Sequence, residues 1–206
     1  MGCIDVAYFP LHGRCEPLML MLNATKSEHK RTVVEDWPAG ADELEFRGLP
    51  QTTWKGKKHG QAKAVLRAVG MAKGLYDTKD PMCCYHADVT VESFDGILAA
   101  AGGCMYAPDD ASRDAAKLKM KAVMTDFLTF HEERMKKNNW TQVAGNKRSI
   151  ADCIITTAYY TQCSAEMGAK IGLSKDCFDT KFPTLKKVAC AMEPKLKSYL
   201  DSRKWL

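Results

Sequence analysis

The sequence lacks any apolar run approaching the roughly 18–20 residues that a transmembrane helix needs, so no membrane span is expected. It has no CxxC pair, although nine cysteines are scattered along its 206 residues. An odd number of irregularly spaced thiols argues against a disulfide framework, a zinc site or a dithiol redox motif. A reducing compartment suits so many thiols, and a cytoplasmic location is expected. The opening MGCIDVAYF has no basic stretch followed by an apolar one, so it does not read as a signal peptide. Gly2 is followed at position 6 by Val rather than the Ser or Thr of a myristoylation signal. The histidines, His12, His29, His59, His86 and His131, show no metal-ligand spacing, and no metal is expected.

A concentrated basic face is also missing. The net charge is +5, yet Lys and Arg exceed acids only by 12 to 10 in residues 1–80, leaving 18 to 15 in the remainder. A nucleic-acid binder would gather its basic residues on one face with aromatics between them, so nucleic acid is not an expected partner. Hydrophobic residues make up 46% and charged residues 27%, a balance that supports a buried core rather than disorder.

The first eighty residues read as a mixed α/β unit. Ile4, Val6 and Tyr8 alternate as in a half-buried strand. Pro17 is tolerated only in a first helical turn, so a helix starts there and carries the apolar run Leu18 to Leu22. Lys30 to Glu35, with Thr32, Val33 and Val34, forms a second strand candidate. Gln51–Trp54 and Lys58-His59 read as a hairpin turning at Lys55-Gly56-Lys57. Gln61 to Lys73 has helical spacing and ends at Gly74. The order is βαβ followed by ββα. The polar connector within Gly74–Pro81 marks a boundary, giving expected units of residues 1–76 and 82–206 joined by a 77–81 linker. Beyond it only helices are expected: 82–106, 111–137, Ser149 to about Gly168, and shorter ones near Pro183–Cys190 and Pro194–Lys204.

Tyr8-Phe9 followed by Gly13-Arg14-Cys15-Glu16-Pro17 resembles the opening of sigma-class glutathione transferases. The match continues in order through Glu35-Asp36-Trp37-Pro38, Phe46, Leu49-Pro50, Gly56-Lys57-Lys58, Gln61, Leu66-Arg67 and Gly74-Leu75-Tyr76. Near the end, Ser149-Ile150-Ala151-Asp152 and Phe182-Pro183-x-Leu185 fit the same family. The resemblance implies a thioredoxin-like domain followed by an all-helical one, with glutathione as co-substrate and a homodimer as the working form. It assigns Tyr8 to catalysis, its hydroxyl donating to the glutathione sulfur and favouring the nucleophilic thiolate. It assigns Arg14, Trp37, Leu49, Pro50, Gln61 and Ala62 to glutathione binding, with a cis bond before Pro50. Asp88 and Glu92 fall where relatives place acids that reach the partner subunit's site.

Two departures weaken that implied site. Ala62 stands where the family has Ser for the γ-glutamyl carboxylate, and Ala41 where it commonly has Lys for the glycine carboxylate. Glu43, two residues further, would repel that carboxylate. Two readings follow. The first is a transferase that conjugates glutathione to small apolar electrophiles through a weakened site. The second is a non-catalytic structural or assembly subunit with the same fold, comparable to the S-crystallins, with incorporation in a larger assembly.

Overall fold

A computed structural model describes residues 2–203. Four strands form one sheet: β1 (Ile4–Tyr8), β2 (His29–Val33), β3 (Gln51–Trp54) and β4 (Lys57–His59), in the order β2-β1-β3-β4. β1 runs parallel to β2, with Tyr8 opposite Val33, and antiparallel to β3, with Val6 opposite Thr52. The parallel pair needs a crossover, which α1 (Glu16–Ala24) supplies. The hairpin between β3 and β4 turns on Lys55 and Gly56, both left-handed, the geometry that matches strand twist in a two-residue turn. α2 (Ala62–Ala72) follows, with its Val65, Leu66 and Val69 buried.

The remainder among the described residues is helical. α3 (Pro81–Met105) starts with Pro81 in its first turn, where a missing N–H costs nothing, and the Asp80 carboxylate accepts from the Cys83 N–H at 2.9 Å. α4 (Asp110–Lys137) is capped in the same way by Asp109, 2.7 Å from the Ser112 N–H, and packs along α3. α5 (Ile150–Thr157) is buried along its whole length and lies against α1, α3 and α8. The last elements are α6 (Ala165–Ile171), α7 (Asp176–Lys181), α8 (Pro183–Cys190) and α9 (Glu193–Ser202).

The single helix expected from Ser149 to Gly168 is in fact two. α5 widens into a π-helical turn over Ala158–Gln162, stops at Cys163, and restarts as α6, with Ser164 accepting from the Met167 N–H. The Thr156 and Thr157 hydroxyls donate back to the carbonyls four residues earlier, at 2.6 and 2.9 Å, a pattern that bends helices. α7 has no counterpart in the expected set. Its six residues are too short to display a helical period.

The mixed sheet and the helices meet through α1, eight of whose nine residues are buried. The Ile150 N–H donates to the Leu75 carbonyl at 2.9 Å, tying the segment after α2 to the start of α5. Gly70 permits that approach: a Cβ there would stand 2.6 Å from Ile150 Cγ2.

Candidate functional site

Strand β1 carries Tyr8 at its C-terminal end, with only 6% of its surface exposed. The chain then folds back through a 3-10 turn, Gly13–Cys15, that leads into α1. Gly13 has φ +40°, and a Cβ there would come within 2.8 Å of the Tyr8 hydroxyl and 2.6 Å of Leu11 Cδ1. Only glycine lets this turn wrap over the phenol. The Arg14 backbone N–H then reaches the Tyr8 hydroxyl oxygen at 3.4 Å. Burial raises the Tyr8 pKa above the ordinary phenol value, more than the Arg14 N–H lowers it. The phenol therefore keeps its proton at neutral pH and can donate it in a hydrogen bond.

Beside this turn lies a groove of about 280 Å³ whose wall includes Arg14, Leu49, Pro50, Gln61 and Ala62. The Leu49–Pro50 bond is cis and immediately precedes β3. Gln61 is left-handed, with φ 63°, and directly precedes the first turn of α2, so the Ala62 and Lys63 amides belong to the unpaired donors of a helix start. The Gly60 N–H donates to the Glu45 carboxylate, and the Glu45 N–H donates to Gln51 Oε1 at 3.0 Å, so the loop that rims the groove is tied to the sheet.

The charges of the groove are paired among themselves. Arg14 Nη1 lies 2.8 Å from Asp95, Lys63 Nζ is 2.8 Å from the other Asp95 oxygen, and Lys63 also pairs with Glu92. Arg67 continues the series to Glu92 and Asp88, each at 2.6 Å, and the Tyr76 hydroxyl donates to Asp88 at 2.8 Å. Three acids at i, i+4 and i+7 on α3 thus face basic residues of the turn and α2 along one seam. The hydrogen bonds from Lys63 and Arg67 hold the Glu92 carboxyl below its usual range. These pairs are partly exposed, so each contributes little stability and their main effect is to fix side-chain positions.

On the other side of Arg14 a second cavity of about 200 Å³ opens between the Tyr8 turn and α3. Tyr8, Phe9, Leu98, Met105, Tyr106 and Met167 contribute a largely apolar wall. Gln162, 2% exposed, also lines it, and its buried amide oxygen accepts no hydrogen bond from the described residues. Groove and cavity therefore meet at Arg14, with the phenol on the cavity side.

Of the residues expected from sequence, Arg14, Leu49, Pro50, Gln61 and Ala62 share the groove, and Tyr8 stands in the adjoining cavity. Trp37 lies outside both walls and packs edge-on against Phe9, ring centroids 5.7 Å apart. Asp88 and Glu92 hold Arg67, Tyr76 and Lys63 of their own chain. Glu43 lies 3.7 Å from Lys58 at the surface. Lys63, Asp95 and Gln162 were not foreseen. Asp95 was detectable as the third acid at helical spacing after Asp88 and Glu92. Gln162 had no such signal, because the π-helical turn decides where it points.

Residues 97–203 match the family model described as glutathione S-transferase, C-terminal domain. Glutathione S-transferase 2 of Manduca sexta is 27% identical over 201 residues, covering 95% of this chain and 94% of that protein. Glutathione S-transferase A of Cavia porcellus is 27% identical over 161 residues, covering 74% of this chain and 72% of that protein. Among solved structures, prostaglandin synthase D of Nilaparvata lugens superposes with a TM-score of 0.80 at 18% identity, covering 100% of both chains. Monomeric Na-GST-3 of Necator americanus gives a TM-score of 0.81 at 19% identity, covering 100% of this chain and 99% of that one. At such identities these structures speak for the fold.

Proposed function

The chain belongs to the glutathione S-transferase family, and on that premise we propose that it conjugates the glutathione thiolate to small apolar electrophiles. One observation carries this reading: the groove that contains Arg14, Leu49, Pro50, Gln61 and Ala62 adjoins an apolar cavity into which the Tyr8 turn faces. Glutathione lies in the groove, its cysteinyl unit paired with the Leu49 backbone before the cis Pro50. Its γ-glutamyl end meets Gln61 and the Ala62 amide. The Tyr8 hydroxyl donates to the sulfur and lowers the pKa of a thiol that would otherwise be mostly protonated at neutral pH. The sulfur then forms a bond to the electrophilic carbon in the cavity, and the leaving group departs with the electron pair. In this reading residues 1–76 bind glutathione, residues 77–81 link, and the helical unit 82–206 adds Leu98, Met105, Tyr106 and Met167 to the electrophile wall beside Tyr8 and Phe9.

Retention on immobilised glutathione and turnover of a chloronitrobenzene test the proposal. Tyr8→Phe is expected to lower kcat/KM roughly ten- to a hundredfold, the value of one hydrogen bond to a charged group. An unchanged rate in that variant would remove Tyr8 from the mechanism. The site is weakened at the carboxylate end, where Ala62 offers no hydroxyl. Ala62→Ser is accordingly expected to tighten glutathione binding about tenfold in a calorimetric titration. An unchanged Kd would mean that the γ-glutamyl group does not reach this helix start.

The second reading, a structural or assembly subunit, is favoured by the pairing of Arg14 and Lys63 with Asp95, which leaves these cations engaged by the chain itself. Absence of both glutathione retention and turnover would decide for it. A cytoplasmic location fits the nine scattered thiols. Sigma-class membership and a homodimer fit the opening motif. Sedimentation of the purified chain tests the last of these.

A further inference from the structure

The thiols of Cys163 and Cys177, 14 residues apart in sequence, touch at an Sγ–Sγ distance of 3.9 Å. Among the described residues no other cysteine pair shares a hydrogen bond. Cys163 is 1% exposed and ends the π-helical turn, whereas Cys177 on α7 is only partly buried, at the edge of the core, and is the more accessible of the two. We propose that Cys163 and Cys177 are a thiol–disulfide exchange site, at which a small disulfide such as glutathione disulfide oxidises the pair to an intramolecular disulfide.

The two sulfurs have different roles. Either sulfur can donate in this contact. With the proton on the buried Cys163 the hydrogen bond favours the Cys177 thiolate and lowers its pKa, while the same bond, together with burial, raises that of Cys163. Cys177 is thus the attacking sulfur and Cys163 the resolving one. In the first step the Cys177 thiolate bonds to one sulfur of glutathione disulfide. The S–S bond breaks, and the departing glutathione thiolate takes up the proton Cys177 gave to solvent. In the second step Cys163 attacks Cys177, its proton passing to the second glutathione as that leaves. The protein loses two electrons and two protons, and one glutathione disulfide becomes two glutathione molecules. Bond formation requires the sulfurs to close by about 2 Å from their present contact.

The other thiols are poorer candidates. Burial pushes Cys15 and Cys153 up to about 12. Cys83 and Cys84, adjacent in sequence, are both raised, first by burial and then by nearby acids, and the Cys84 thiol is engaged with the Asp77 carbonyl at 3.2 Å. The closed loop would span α6, whose Met167 belongs to the wall of the apolar cavity. Oxidation would therefore fix that wall. The site needs neither Tyr8 nor the groove, so it stands or falls independently of the transferase reading.

The test is to equilibrate the full chain with reduced and oxidised glutathione at several ratios, alkylate the remaining thiols and map the peptides by mass spectrometry. The expected result is the loss of two titratable thiols and a linked peptide joining Cys163 to Cys177. In Cys163→Ala the reaction should stop at a glutathionyl adduct on Cys177, and in Cys177→Ala position 163 should stay unmodified. Wild-type Cys177 should also react with iodoacetamide at least about tenfold faster than Cys153. Absence of the 163–177 link at every ratio, or glutathionylation confined to other cysteines such as Cys3, would overturn the assignment. The wild-type map decides this even if a variant does not fold.

Discussion

Glu16→Leu is expected to destabilise the protein by about 3–5 kcal/mol, a fall in Tm on the order of 10 °C, read by urea or thermal unfolding. Glu16 opens α1 directly after Arg14 and Cys15, and its side chain is 1% exposed. Its carboxylate lies 3.0 Å from His12 Nδ1 and 2.9 Å from Arg203 Nη1, and it accepts from the Tyr199 hydroxyl at 2.7 Å. Thr161 adds a longer contact at 3.4 Å. Leucine would leave the Arg203 guanidinium, 13% exposed, without its counter-charge, and that is the expensive half of breaking a buried pair. The double variant Glu16→Leu/Arg203→Leu should be less destabilised than Glu16→Leu alone. A cost below about 1 kcal/mol for the single variant would show that α9 and its following residue are not held by this charge.

The same group gives a pH signature. Burial alone would push the Glu16 carboxyl up, but the His12 hydrogen bond, the charges of His12 and Arg203 and the Tyr199 hydroxyl together hold it below the ordinary carboxylate range. A depressed folded pKa means a contribution fully present above the unfolded value, about 4.3, and lost as pH falls through the folded one. Its loss is therefore confined to the acid limb.

Asp152→Ala should cost about 3 kcal/mol, also read from unfolding curves. Asp152 is fully buried and accepts from the Val143 N–H at 2.9 Å and the Ser149 N–H at 2.6 Å, while Ser149 Oγ accepts from the Ala151 N–H at 3.2 Å. Alanine strands two buried backbone donors at the start of the most buried helix. Burial pushes the Asp152 carboxyl up to about 6, against the pull of the Val143 and Ser149 amides. Here the sign reverses. The native state binds the proton more readily than the unfolded chain between about pH 4 and 6, so this group's contribution falls as pH rises through that window. Asp152→Asn should remove that slope while destabilising less than Asp152→Ala, since the amide oxygen still serves one donor. A slope that persists in Asp152→Asn would assign it to another residue.

Much of the architecture was legible because it rests on local chemistry. Alternation at Ile4, Val6 and Tyr8, Pro17 at a helix start, the Lys55-Gly56 turn and the Ser149/Asp152 capping box each encode an element within a few residues. The split between α5 and α6 was not, because threonine and isoleucine side chains show no break by period alone, and the π-helical turn depends on what packs around it. α7 was too short to see.

The grouping of site residues follows the same division. That a strand-end phenol, a Gly-Arg turn and a Leu-Pro step occur in one chain was readable from residue order, because motif spacing is a property of the covalent chain. Which of them share a wall was not. Arg14, which lines both groove and cavity, pairs with Asp95, 81 residues away, Gln162 arrives from a π-helical turn, and Cys163 meets Cys177 only because α6 folds between them. Contacts between distant residues arise from packing and from the pairing of buried charge, and neither has a period that a linear sequence can display.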